Sequence, residues 1–150
     1  MPGTWQQLRD SPGGGVLGYF GFAASTMLLL TDGTIICQRE GSTEWKRLVP
    51  DRRGSYLNGT WHDMPRCNNA RMYYASAVLA DGRVILAGGE SSEGFLPGAA
   101  QVEQDTVEIF DPVSGNWEPK STPGWGSLGD APAWTRVESS QSTLSCSRAS

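Results

Sequence analysis

The feature that most constrains this chain is an internal repeat. Residues 25–36 read STMLLLTDGTII and residues 75–86 read ASAVLADGRVIL, and laying Asp32-Gly33 on Asp81-Gly82 gives a spacing of 49 residues. Self-similarity at such a spacing marks an array of supersecondary units, each needing its neighbours to bury a core. In both copies an apolar run meets Asp-Gly and leaves as a second apolar run. That pattern signals a hairpin, because the turn needs a positive φ that Gly adopts without steric cost.

The second halves of the units also correspond. After the second hairpin come a long loop, then TVEIFDP, then VSGNW. After the first comes TEWKRLVPDRRGSYLNGTW. Pro50 takes the place of Pro112, and Trp61 that of Trp117. Each unit therefore reads as four short strands: two in the hairpin, one ending at the Pro and one carrying the Trp. The chain's 19 Gly and 9 Pro among 150 residues fit many turns between short strands. Nowhere is an apolar spacing of three and four residues sustained, so no helix is expected.

These features resemble the kelch repeat, whose units form four-stranded propeller blades. The second unit is the closer match, with Asp81-Gly82, the double glycine Gly88-Gly89, the corner Phe110-Asp111-Pro112, and Trp117. The first keeps Asp32, Gly33 and Trp61 but has Arg39-Glu40 where the double glycine should fall, with Gly41 one place late. It resembles the divergent units of galactose-oxidase-type propellers and of bacterial kelch-repeat proteins. The resemblance implies that the double glycine and the Trp pack between blades. It also places the loop from Glu90 to Asp105 on a face where such propellers bind partners, making Glu90, Glu93, Phe95 and Gln101 candidate binding residues.

The expected fold is all-β: a partial kelch-type β-propeller of about two four-stranded antiparallel blades with partial flanking strands. Residues 1–24 read as the remnant of a preceding blade and a linker, since Thr4-Trp5-Gln6-Gln7-Leu8 looks like a Trp-bearing last strand. Residues 25–66 form the divergent blade, 67–120 the kelch blade, and 121–133 the lead-in to a third. The serine-rich stretch 134–150 reads as a disordered tail. Because the lead-in promises a strand that does not arrive, a truncated or frame-shifted reading of a longer gene is favoured over a natural short tail.

Several function classes are excluded or disfavoured. A net charge of -4 and a pI near 4.9 do not suit a nucleic-acid binder. The basic cluster of Lys46, Arg47, Arg52 and Arg53 reads as a solvated loop face. Three widely spaced cysteines (Cys37, Cys67 and Cys146) do not suggest a disulfide scaffold, and Cys37 lies in an apolar run as a small hydrophobe. The uncharged run 16–30 is shorter than the roughly 20 apolar residues a membrane span needs. It lacks the flanks of a signal peptide, which favours the cytoplasm over secretion and leaves the compartment open.

The copper-radical site of galactose-oxidase-type enzymes uses two His and two Tyr, one Tyr crosslinked to Cys. This chain has His62 alone, and Tyr19, Tyr56, Tyr73 and Tyr74 without a Tyr-His pair. A sugar mutarotase or isomerase could use Arg71, Glu90 and His62 for proton transfer, but needs a closed ring around its pocket. Gly13-Gly14-Gly15 lacks the Lys and hydroxyl of a phosphate loop, and no Gly-x-Ser-x-Gly occurs. Met72-Tyr73-Tyr74 reads as a strand lead-in whose aromatics pack, with a sugar platform as the other reading. Asn58-Gly59-Thr60 fits the glycosylation sequon, but a turn role accounts for it unless the chain is secreted by a eukaryote.

The sequence therefore points to a non-catalytic binding or structural module for protein or carbohydrate, with no cofactor and no metal. Self-association through exposed blade edges is a further expectation. The alternative is part of a galactose-oxidase-like or mutarotase-like enzyme whose catalytic residues lie outside this chain.

Overall fold

The computed structural model describes Gly3, Thr4, Gln6 and residues 22–91 and 102–121. The remnant strand at 4–8, apart from Thr4 and Gln6, the lead-in beyond residue 121 and the serine-rich tail lie outside the described residues. All described regular structure is β, and among the described residues no helix is long and apolar enough to cross a membrane.

Strands β1 (Ala24–Leu29), β2 (Ile35–Arg39), β3 (Trp45–Val49) and β4 (Thr60–Asp63) pair antiparallel in chain order as the first blade. Strands β5 (Ala75–Val78) and β6 (Val84–Ala87) continue, after an insertion, into β9 (Val107–Asp111) and β10 (Asn116–Lys120) as the second blade, again in chain order. The insertion is a short antiparallel ribbon of β7 (Glu90–Ser91) and β8 (Val102–Glu103).

The register shows that the central strand positions of the two units correspond. In the first blade Ile35 lies opposite Leu48, and Leu48 opposite Trp61. In the second, Val84 lies opposite Phe110, and Phe110 opposite Trp117. Both hairpins close through three-residue loops, Gly33 N–H donating to Leu30 O (3.0 Å) and Gly82 N–H to Leu79 O (2.9 Å). Only the glycine of each loop is left-handed, with φ of 80° at Gly33 and 86° at Gly82. The aspartate before it accepts the amide two residues on: Thr34 N–H donates to Asp32 Oδ1 (2.9 Å) and Arg83 N–H to Asp81 Oδ1 (3.1 Å).

The blades pack face to face. Val84, Leu86, Phe110 and Trp117 of the second meet Leu30, Ile36 and Trp45 of the first, with Cys67 of the connecting segment between them. Trp117 is 8% exposed; its ring lies 5.1 Å from that of Trp45 and 5.1 Å from that of Phe110. Its indole N–H donates to Pro65 O at 3.1 Å, so the polar end of this large side chain is also satisfied. Strand alternation turns Ile35, Leu48 and Trp61 away from the second blade. Trp61 is accordingly only half-buried, and Met27 and Leu29 on the same face are 51% and 61% exposed. On the second blade, Leu79, Ile85, Ala87, Val107 and Ile109 form a separate buried cluster.

Candidate functional site

The end of the sheets where β1 begins and β2 finishes carries an exposed aromatic beside a cleft that both blades line. Its centre is the lead-in to β5, which the β7 strand holds by a reciprocal backbone pair. Met72 N–H donates to Glu90 O (2.8 Å) and Glu90 N–H to Met72 O (2.9 Å). Gly89, at φ 87°, makes that approach possible: a Cβ there would lie 2.4 Å from Met72 O. Gly89 is thus a close-approach position toward the lead-in of its own blade, where the repeat resemblance implied packing between blades.

The next residue, Tyr73, has φ 53°, the only positive φ of a non-glycine residue among the described residues. Such a conformation costs about 1–3 kcal/mol and persists where its surroundings hold it. Here the Met72–Glu90 pair holds one side and the start of β5 at Ala75 the other. The result separates two adjacent aromatics. Tyr74 packs against the core between the blades and donates its hydroxyl to Gln38 Oε1 of the first blade at 2.5 Å. Burial pushes the Tyr74 hydroxyl pKa above its ordinary value. Tyr73 turns outward and is 62% exposed. It borders a cleft of about 220 Å³ lined by Ser25, Thr26, Glu40, Met72, Tyr73 and Tyr74, which spans both blades. The sequence reading of both aromatics as packing residues fits Tyr74 and not Tyr73.

Beneath this end lies a buried ion pair that the sequence reading did not identify. Arg71 and Glu108 are both fully buried, with Arg71 Nη2 2.7 Å from Glu108 Oε1. Arg71 also donates to Gly88 O (3.1 Å), Thr106 O (3.1 Å) and Thr106 Oγ1 (3.0 Å). The carboxylate accepts Asn68 N–H (2.6 Å), the Asn68 side chain (2.7 Å) and Asn69 N–H (3.0 Å). Burial alone would raise the Glu108 pKa, but the Asn68 hydrogen bonds and the Arg71 charge outweigh it and hold it below the usual carboxylate range. The pair ties the inter-blade segment 68–71 to β9 and to the end of β6. Arg71, Glu90 and His62 do not form a proton-transfer set: Arg71 is committed to Glu108, and His62 is exposed on the outermost strand β4.

The first blade has replaced this pair at equivalent positions. Subtracting the repeat spacing puts Phe22 in the place of Arg71, and strand register puts Lys46 in the place of Glu108. Lys46 Nζ lies 5.9 Å from the Phe22 ring centroid and 2.5 Å from Asp63 Oδ1. A cation–π contact near the surface contributes about 0.5–1 kcal/mol. Lys46 and Arg47 therefore belong to strand β3, Arg47 pairing with Asp32; only Arg52 and Arg53 lie on the exposed turn that the basic cluster suggested.

Of the candidate binding residues, Glu90 is in β7 and 8% exposed, opposite Glu103. Glu93, Phe95 and Gln101 lie outside the described residues. The motif positions Asp111 and Pro112 form the corner after β9, where Asp111 Oδ1 accepts Val113 N–H (2.8 Å) and Asp111 O accepts Gly115 N–H (2.8 Å). Cys37 and Cys67 are buried free thiols, and burial pushes their pKa values up to about 12 and about 11. Among the described residues no group of His, Cys, Asp and Glu could hold a metal ion.

Residues 71–124 match the Kelch motif family, so the second blade is a kelch repeat. Among solved structures, the chain is similar to a novel fungal alcohol oxidase with catalytic diversity among the AA5 family, in complex with copper. The identity is 19%, the TM-score 0.45, and the match covers 65% of this chain and 18% of the oxidase. No curated protein matches the chain.

Proposed function

We propose that this chain is a non-catalytic binding segment of a kelch-type propeller, and that it receives a saccharide at the Tyr73 end. The observation that carries the reading is Tyr73 itself, exposed and held in a left-handed conformation beside a cleft shared by both blades. An exposed phenol ring offers the apolar face that the C–H surface of a sugar ring stacks on. Glu40, Ser25 and Thr26, which line the same cleft, supply acceptor and donor groups suited to sugar hydroxyls. Arg71 and Glu108, both fully buried, serve each other rather than a substrate.

The test is isothermal titration of the purified chain against a panel of soluble oligosaccharides, with Tyr73→Ala alongside. Loss of one aromatic contact worth about 0.5–1.5 kcal/mol weakens binding roughly two- to tenfold. Absence of binding across the panel, or equal affinity for Tyr73→Ala and the wild type, overturns the reading.

A further inference from the structure

The connection between β3 and β4 contains Asn58-Gly59-Thr60, the chain's one Asn-x-Ser/Thr sequence with a non-proline centre. The fold accounts for its middle residue. Gly59 N–H donates to Tyr56 O at 3.1 Å, and a Cβ on Gly59 would lie 2.6 Å from Val49 O and 2.9 Å from Leu48 Cδ1. The turn is therefore centred on Leu57 and Asn58, and Gly59 is required by close approach to β3. The fold does not account for the flanking side chains in the same way. Asn58 is exposed, and its amide makes one long contact, 3.3 Å, with the Ser55 hydroxyl. Thr60 opens β4 opposite Val49, also exposed.

The turn also lies where a large substituent obstructs nothing described. Tyr56 donates its hydroxyl to Gly33 O at 2.8 Å, which places this turn at the Asp-Gly end of the first blade. The Tyr73 cleft is at the opposite end of the strands, and the packed blade-to-blade face carries Trp45 and Ile36 rather than this turn.

We propose that Asn58 is an acceptor site for an N-linked glycan. In the transfer, Asn58 Nδ2 forms a bond to C1 of the first sugar of a lipid-pyrophosphate-linked oligosaccharide. The C1–O bond to phosphate breaks, the lipid pyrophosphate leaves with that electron pair, and one amide proton passes to the transferring enzyme. The turn role read from sequence involves the Asn58 backbone, while its side-chain amide is exposed and makes only the long Ser55 contact, so it can be presented for this modification.

The experiment expresses the full chain behind a secretory leader in eukaryotic cells and scores whole-cell lysate, so occupancy is read whether or not the chain is exported. The expected result is a slower-migrating band that collapses on treatment with peptide N-glycosidase. Release in heavy-oxygen water should label position 58, separating enzymatic release from spontaneous deamidation. Asn58→Gln and Thr60→Val abolish the shift, whereas Thr60→Ser retains it. A wild-type chain with no glycosidase-sensitive band, or a band that survives in Asn58→Gln, overturns the proposal.

Discussion

Replacing Glu108 with Leu removes the acid from a pair in which both side chains are fully buried, and leaves the Arg71 guanidinium without its counter-charge. It also strips acceptors from the Asn68 and Asn69 amides. Breaking a buried pair from one side costs about 3–5 kcal/mol, and the orphaned amides belong to the same network, so their loss does not simply add. Against a total stability of roughly 5–15 kcal/mol for a domain, that is a large fraction. In urea, with a slope of about 1–3 kcal/mol/M, the unfolding midpoint should fall by about 2 M. The surface pairs that Glu44 makes with Arg39 and Arg66 supply the control, since such pairs contribute about 0–1 kcal/mol each and Glu44→Gln should move the midpoint far less. Circular dichroism across a urea series reads both. The double variant Arg71→Met/Glu108→Leu should be less destabilised than the sum of its singles, because it leaves no unpaired buried charge. The pair also sets a pH dependence. The folded Glu108 pKa is depressed, so its stabilisation is present above the unfolded value of about 4.3 and is lost as pH falls through the lower folded value. Glu108→Gln should flatten that acid limb. A Glu108→Leu midpoint close to wild type, or a strictly additive double variant, would refute the reasoning.

Two further perturbations probe the repeat. Trp117→Ala should cost about 3–5 kcal/mol, as expected for emptying a buried aromatic site. Trp61→Ala, at the equivalent register but half-buried, should cost clearly less; equal losses by urea melt would contradict the assigned faces. Gly33→Ala meets open space and should cost about 1–2 kcal/mol of left-handed strain alone. Gly89→Ala adds a clash with Met72 O to that strain and should cost more than about 2 kcal/mol, a difference thermal melts will resolve.

Much of the blade architecture was legible because its signals are local. The Asp-Gly pairs fix loops whose glycines are left-handed, and the Pro and Trp positions mark the third and fourth strands, so the two units could be aligned before any contact was known. The Arg71–Glu108 pair was missed for a physical reason. Alternation in TVEIFDP correctly sets Glu108 on the face opposite Val107 and Ile109, which in a half-exposed strand would be the solvent side. That face of the second blade packs on the first blade, so it is interior, and a charged residue there requires a buried partner. Arg71 supplies it from 37 residues earlier, a separation that no local pattern reveals. The outward turn of Tyr73 was illegible for a related reason: it depends on the Met72–Glu90 pair made with an inserted ribbon. The replacement of the pair by Phe22 and Lys46 became visible only when strand register aligned the blades.

The central claim is that the two blades pack face to face through Trp45 and Trp117. Proton nuclear Overhauser spectra of the indole-labelled chain test it directly, since the ring centroids lie 5.1 Å apart. The account predicts cross-peaks between Trp45 and Trp117 ring protons, and a slowly exchanging Trp117 indole N–H bound to Pro65 O. A Trp117 indole that exchanges with solvent as fast as a free peptide's, with no cross-peak to Trp45, would contradict it.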